Sequence, residues 1–82
     1  MDNYQLEEIA RTYLGLGIQQ WGQTAEQREK ATRAYVEAAG LKFGSTEANE
    51  WIMGVVQNLR RGKFETEVDQ LVAAITNRRA SA

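Results

Sequence analysis

Apolar positions along the chain recur at helical spacing in four segments. Between 66 and 78 they form one narrow stripe at about 100° per residue: Val68, Leu71, Val72 and Ile75. Between 46 and 61 a second stripe contains Ala48, Ile52, Val55, Val56 and Leu59. Strand-type alternation appears nowhere and proline is absent. The pattern predicts an all-α fold.

Capping signals divide this pattern into elements. Thr24 and Gln27 have the spacing of a capping box, and Ser45 or Thr46 can cap a helix that begins with Glu47. Glycines at 22, 40 and 62 follow the periodic segments, where a left-handed residue ends a helix without steric cost. We expect a compact bundle of four short helices near 3–21, 25–39, 46–61 and 66–78, complete as a monomer or completed by dimerisation.

The chain length predicts one domain over 1–82, with a short frayed tail near 79–82. The third and fourth helices are joined by a short link around Gly62. Because both carry narrow apolar stripes, we expect them to form an antiparallel hairpin with Leu59 and Leu71 in its core.

The first helix differs from the others, since its apolar residues spread over roughly 200° of arc. One interpretation is that it lies centrally, contacted on both flanks by the second and fourth helices. The other is that one edge of the arc, containing Leu14, Ile18 and Trp21, binds a partner or a second copy. Met53 lies outside the stripe of the third helix and joins this predicted partner-binding set.

The composition removes several classes of chemistry. The chain has no cysteine and no histidine, which excludes disulfides, thiolate nucleophiles, imidazole bases and ordinary zinc sites. It lacks the residue spacing of a calcium loop, an apolar run of membrane-spanning length and a basic signal-peptide start. We therefore predict a cytoplasmic, non-enzymatic protein with no cofactor, no small-molecule substrate and no membrane association.

Basic residues form two clusters, Arg60, Arg61 and Lys63 in one and Arg78 and Arg79 in the other. One interpretation is a phosphate-binding patch for nucleic acid. The alternative is complementarity to the helix macrodipole, because both helices begin with acidic residues and end near arginines. The net charge of −1 favours the second interpretation, since no overall field attracts nucleic acid.

The stretch GLKFGSTEANEW, residues 40–51, has the outline of a helix-turn-helix reader. Its turn is long for that motif, and the following helix opens with Glu47 and Glu50, which repel phosphates. We expect a simple connector here.

By exclusion, the sequence favours a non-catalytic protein-interaction or regulatory module, such as an adaptor, inhibitor or small subunit, with a protein partner or self-association. The alternative is a small helical nucleic-acid-binding protein or a nucleoprotein-complex subunit.

Overall fold

The computed structural model describes residues 2–18, 24–59 and 64–81. Within these residues it contains four α-helices and no strand. They are α1 (Asn3–Ile18), α2 (Ala25–Ala38), α3 (Thr46–Asn58) and α4 (Phe64–Ser81). The radius of gyration is 11.8 Å, close to the value of about 11.7 Å expected for a compact domain of this length. The predicted all-α bundle of four helices is confirmed.

Helix starts follow the capping signals. The Thr24 hydroxyl accepts from the backbone N–H of Gln27 at 3.1 Å, and the Gln27 side chain accepts from the Thr24 N–H at 3.1 Å. The Ser45 hydroxyl accepts from the N–H of Ala48 at 3.1 Å. These bonds satisfy backbone donors that the first turn of a helix leaves without partners. The starts of α2 and α3 are therefore determined locally.

The end of α2 is a Schellman motif. Gly40 has a φ of +81°, and its N–H donates to the carbonyl of Glu37 at 2.9 Å. The N–H of Leu41 donates to the carbonyl of Val36 at 3.2 Å, and both of these apolar side chains are buried. The stretch from 39 to 45 is thus the connector that the sequence predicts between the second and third helices.

Two helix ends differ from the prediction. α3 ends at Asn58 rather than near 61, because Leu59 adopts an extended conformation with ψ of 122°. α4 continues to Ser81 rather than ending near 78. The basic pair at 78–79 belongs to the last full turn and does not terminate the helix. Residues 19–21, 60–61 and the glycines at 22 and 62 lie outside the described residues.

The core forms around α1, whose closest backbone packing is against α2 and α4. Buried apolar side chains from all four helices and the connector meet there: Leu6, Ala10, Leu14, Tyr35, Val36, Ala38, Ala39, Leu41, Ala48, Val68, Leu71 and Ile75. Both α2 and α4 pack on α1, and Leu6, Ala10 and Leu14 of its apolar arc are buried there. This was one of the two interpretations that the sequence left open.

Tyr35 connects all four helices. Its ring stacks on Tyr13 of α1 with centroids 4.6 Å apart, and on Trp51 of α3 with centroids 5.3 Å apart. Its hydroxyl donates to the backbone carbonyl of Leu71 in α4 at 3.0 Å. Burial, followed by the proximity of Tyr13, raises the pKa of the Tyr35 hydroxyl above its usual value. Tyr35 therefore links α3 directly to both α1 and α4.

α3 and α4 run in opposite directions, because the carboxylate of Glu47 in the first turn of α3 contacts the guanidinium of Arg78 near the end of α4. The predicted hairpin core is only partly correct. Leu71 is fully buried, whereas Leu59 is half-buried, and α4 packs most closely on α1.

Candidate docking surface

Helix α3 contains six successive residues without charge or strong polarity, Trp51-Ile52-Met53-Gly54-Val55-Val56. At about 100° per residue, six positions point in every direction around a helix. Yet Ala48 is the one buried residue on this helix. Polar residues precede and follow this run on the same helix. The segment 51–56 of α3 is therefore an apolar stretch that the bundle covers only in part.

One side of α3 is anchored to the core. The indole of Trp51 lies nearly parallel to the ring of Tyr35, with 19° between the planes. Ile52, Val55 and Leu59 pack against the core and remain partly exposed. Ser45 fixes the first turn through its cap. Because of these contacts, the exposed faces of α3 are held in one orientation by the bundle.

The flank of α3 that faces α4 forms an open groove of about 510 Å³. Three of its lining residues have little or no side chain, Gly54, Ala73 and Ala74. A Cβ built on Gly54 would meet no atom within 4 Å, so packing within the chain does not require glycine there. The groove is lined by Glu50, Trp51, Gly54, Val55, Asn58, Leu59, Gln70, Ala73, Ala74 and Asn77.

The opposite flank of α3 is a strip that we call the outer seam, formed by Asn49, Ile52, Met53 and Val56. Met53 is 61% exposed and Val56 is 51% exposed, and both are among the most exposed large apolar residues described. Asn49 is exposed and Ile52 is half-buried. No charged group belongs to this strip. It is an apolar surface with a fixed backbone beneath it.

The predicted partner-binding residues have different outcomes. Leu14 is 3% exposed within the monomer, so its assignment to a partner surface is wrong; it fills the core between the neighbours of α1. Met53 is exposed, as a contact residue must be. Ile18 ends α1, but its side chain and the whole of Trp21 lie outside what the structure describes.

Sequence reasoning missed Val56 because it placed this residue on the buried stripe of the third helix. The signal that could have found it is the unbroken apolar run from 51 to 56, which is wider than one stripe. No pattern in the sequence indicates the groove between α3 and α4. It combines Gly54 with Ala73 and Ala74 from a different helix, and only the tertiary structure brings them together.

The basic residues of the nucleic-acid alternative are partly described. Arg78 is paired with Glu47, and the next residue, Arg79, is exposed. Arg60, Arg61 and Lys63 lie outside the described residues. Since α3 and α4 are antiparallel, Arg78 lies at the start of α3, whereas Arg60 follows its end in the sequence.

A second groove, of about 530 Å³, lies between α1 and α2. Its floor includes Ile9 and Ala31, and charged groups of both signs, Glu8 and Lys30, line it. Within the described part of the chain, no three acidic side chains group together in a way that could hold a metal ion. No helix described there has the length and hydropathy needed to cross a membrane.

Comparison with protein-family models, curated proteins and solved structures finds no match for this chain.

Proposed function

We propose that the protein is a non-catalytic protein-interaction or regulatory module that binds its partner through α3. One observation carries this proposal: the segment 51–56 of α3 is apolar all the way round the helix, and the bundle leaves Met53 and Val56 exposed. Exposed apolar surface that a monomer does not need is characteristic of interaction sites. Methionine and aromatic residues are enriched at such sites, and α3 has Met53 on the outer seam and Trp51 in the groove.

The contacts that hold α3 in place also support the proposal. Tyr35 and Trp51 hold α3 by ring stacking, and Ser45 caps its start. A surface that is already ordered loses little conformational entropy when a partner binds. This arrangement favours recognition of a folded partner or a partner helix by a preformed face.

The alternative function, nucleic-acid binding, has less support. The pairing of Arg78 with Glu47 reduces the positive potential at that end of the bundle. The net charge of −1 supplies no general attraction to phosphates. We expect salt-insensitive, weak retention on a heparin matrix, and strong retention released by salt would favour the alternative instead.

The test is affinity capture from the native host with tagged wild-type protein and tagged variants, followed by mass spectrometry. Met53→Glu puts a charge into the exposed apolar surface and should remove the specific partner. Thr76→Glu is the matched control, because Thr76 is exposed on α4 and lines neither groove. Circular dichroism should show the same helix content in all three proteins.

A partner that is captured equally by wild type and by Met53→Glu contradicts binding through the outer flank of α3. Ala73→Glu then tests the groove, since Ala73 is exposed on its wall. Retention of the partner by both variants would refute the proposal for α3 as a whole.

A further inference from the structure

The last turn of α4 contains the sequence Arg-Arg-Ala-Ser, residues 78–81, in which a serine follows arginines two and three positions earlier. A protein kinase with an acidic substrate site recognises such a segment, because its carboxylates pair with both guanidinium groups and hold the serine at the phosphoryl donor. The other arginine pair of the chain, at 60–61, is followed by glycine and lysine. The pattern therefore occurs at one position, with Ser81 as the acceptor.

The structure leaves the hydroxyl of Ser81 accessible. Ser81 is exposed, and its hydroxyl donates to the carbonyl of Asn77 at 3.0 Å, so the oxygen keeps its lone pairs. Arg79 is also exposed and forms no ion pair with any part of the chain that the structure describes. The last four carbonyls of a helix have no donor within it, so this turn opens at a smaller cost than an internal one.

We propose that Ser81 is a phosphorylation site for an arginine-directed protein kinase that uses ATP. In the reaction the Oγ of Ser81 forms a bond to the γ-phosphorus, the bond from that phosphorus to the β–γ bridging oxygen breaks, and ADP leaves. The hydroxyl proton passes to the general base of the kinase. This inference does not depend on the docking role proposed for α3, since the modified group lies at the end of α4.

A phosphate on Ser81 lies beside the ion pair that joins α3 and α4. Ser81 follows Arg78 by three residues, which makes the two side chains neighbours on the helix surface. In the unmodified protein, Glu47 at the start of α3 holds the guanidinium of Arg78. A phosphate carries a charge of about −1.5 to −2 at pH 7, more than a carboxylate, and it offers an additional acceptor oxygen. The phosphate therefore takes Arg78 from Glu47.

The first experiment treats the folded full chain with a purified arginine-directed kinase, ATP and magnesium. Mass spectrometry of proteolytic peptides should find one phosphoryl group, on Ser81. Ser45 is the internal control, because it also has a basic residue three positions earlier, but its hydroxyl caps α3 and donates to the carbonyl of Lys42 at 2.7 Å. Ser81→Ala should abolish incorporation, and Arg79→Gln should slow it at least roughly tenfold. An absence of phosphate on Ser81 overturns the proposal.

The second experiment tests whether the pairing of Arg78 with Glu47 competes with the kinase. Glu47→Gln releases Arg78 and should raise the rate of phosphorylation roughly two- to fivefold, the amount that an exposed ion pair is worth. Glu50→Gln is the matched control, since Glu50 is exposed one turn further along α3 and has no ion pair with the described residues. It should leave the rate unchanged. Equal rates for the two variants contradict recognition of Arg78.

The third experiment follows the phosphate itself by phosphorus NMR. If Arg78 is its partner, the second pKa of the phosphate should be lower in the folded protein than in the urea-unfolded chain, because a nearby positive charge favours the more charged form. An equal or higher pKa in the folded protein would show that Arg78 stays with Glu47.

The last experiment examines protein isolated from its native host with phosphatase inhibitors present. Phosphate on Ser81 supports the proposal. Unmodified Ser81 in the host, together with phosphorylation by the purified kinase, indicates a chemically competent site that is not used and overturns it. Affinity capture through Met53 is measured separately, so either result leaves the test of the proposed function unaffected.

Discussion

Removing the hydroxyl of Tyr35 tests whether this side chain connects α3 and α4 as the structure indicates. Tyr35→Phe keeps the ring, and therefore both stacks with Tyr13 and Trp51, but deletes the 3.0 Å hydrogen bond to the carbonyl of Leu71. A buried neutral hydrogen bond contributes about 0.5–1.5 kcal/mol net. The Leu71 carbonyl lies inside α4 and keeps its helical hydrogen bond, so it does not become an orphan.

We therefore expect Tyr35→Phe to reduce the free energy of unfolding by about 1 kcal/mol, which lowers the Tm of a domain of this size by roughly 4–8 °C. Tyr35→Ala also removes the ring at a position that is 0% exposed and should cost about 3–5 kcal/mol. Urea and thermal unfolding followed by circular dichroism measure both values. Tyr4→Phe is the matched control, since Tyr4 is 73% exposed, and it should change stability by less than about 0.5 kcal/mol.

Two results would refute this reasoning. If Tyr35→Phe costs as little as Tyr4→Phe, the hydroxyl makes no stabilising contact with α4. If it costs as much as Tyr35→Ala, the energy does not reside in ring packing, and the stacked arrangement with α1 and α3 is incorrect.

The pH dependence gives an independent check. Burial raises the pKa of Tyr13, and burial followed by the charge of Tyr13 raises that of Tyr35. A raised pKa in the folded state means that the neutral form is favoured there. The stability is fully present below the unfolded tyrosine pKa of about 10 and is lost as pH rises above it, by up to about 1.4 kcal/mol per pH unit for each group. Tyr35→Phe should make this alkaline decline shallower in pH-dependent urea unfolding.

Further substitutions probe the core and the helix ends, all measured by urea unfolding. Leu71→Ala should cost about 2–5 kcal/mol because the site is fully buried, and half-buried Leu59→Ala should cost less; equal losses would contradict the position of α3. Gly54→Ala should stabilise by up to about 1 kcal/mol, since a Cβ there meets nothing. Gly40→Ala, at φ +81°, should destabilise by about 1–2 kcal/mol, and the opposite signs of the two glycine variants form an internal control. Thr24→Ala should cost about 1 kcal/mol through its lost cap, with no loss indicating a frayed α2 start.

The helical elements could be predicted from the sequence because their signals are local. The Thr24–Gln27 capping box and the Gly40 stop act over a few residues, so α2 could be placed within one residue at its C-terminal end. The same local rules failed at the end of α4. There the Arg78–Arg79 pair resembles a terminal turn, although the chain satisfies another turn of helical hydrogen bonds up to Ser81.

The candidate site depends on which apolar residues the neighbours cover, and no periodicity in one helix contains that information. The wide arc of α1 is compatible with a core or an interface, and the packing of α2 and α4 on α1 decides for the core at Leu14. The periodicity of α3 predicts a buried stripe with Met53 outside it, but Val56 of that stripe is exposed.

What the sequence determined by itself is the set of four helices, their caps, and the absence of cysteine and histidine chemistry. Only the tertiary structure decided that α1 is central and α3 peripheral, which leaves Met53 and Val56 exposed. The physical reason is that the two sets of features depend on interactions over different separations in the sequence. Capping and helical periodicity are interactions between residues a few positions apart, whereas burial depends on contacts such as the one between Tyr35 and Leu71, which are 36 positions apart in the chain.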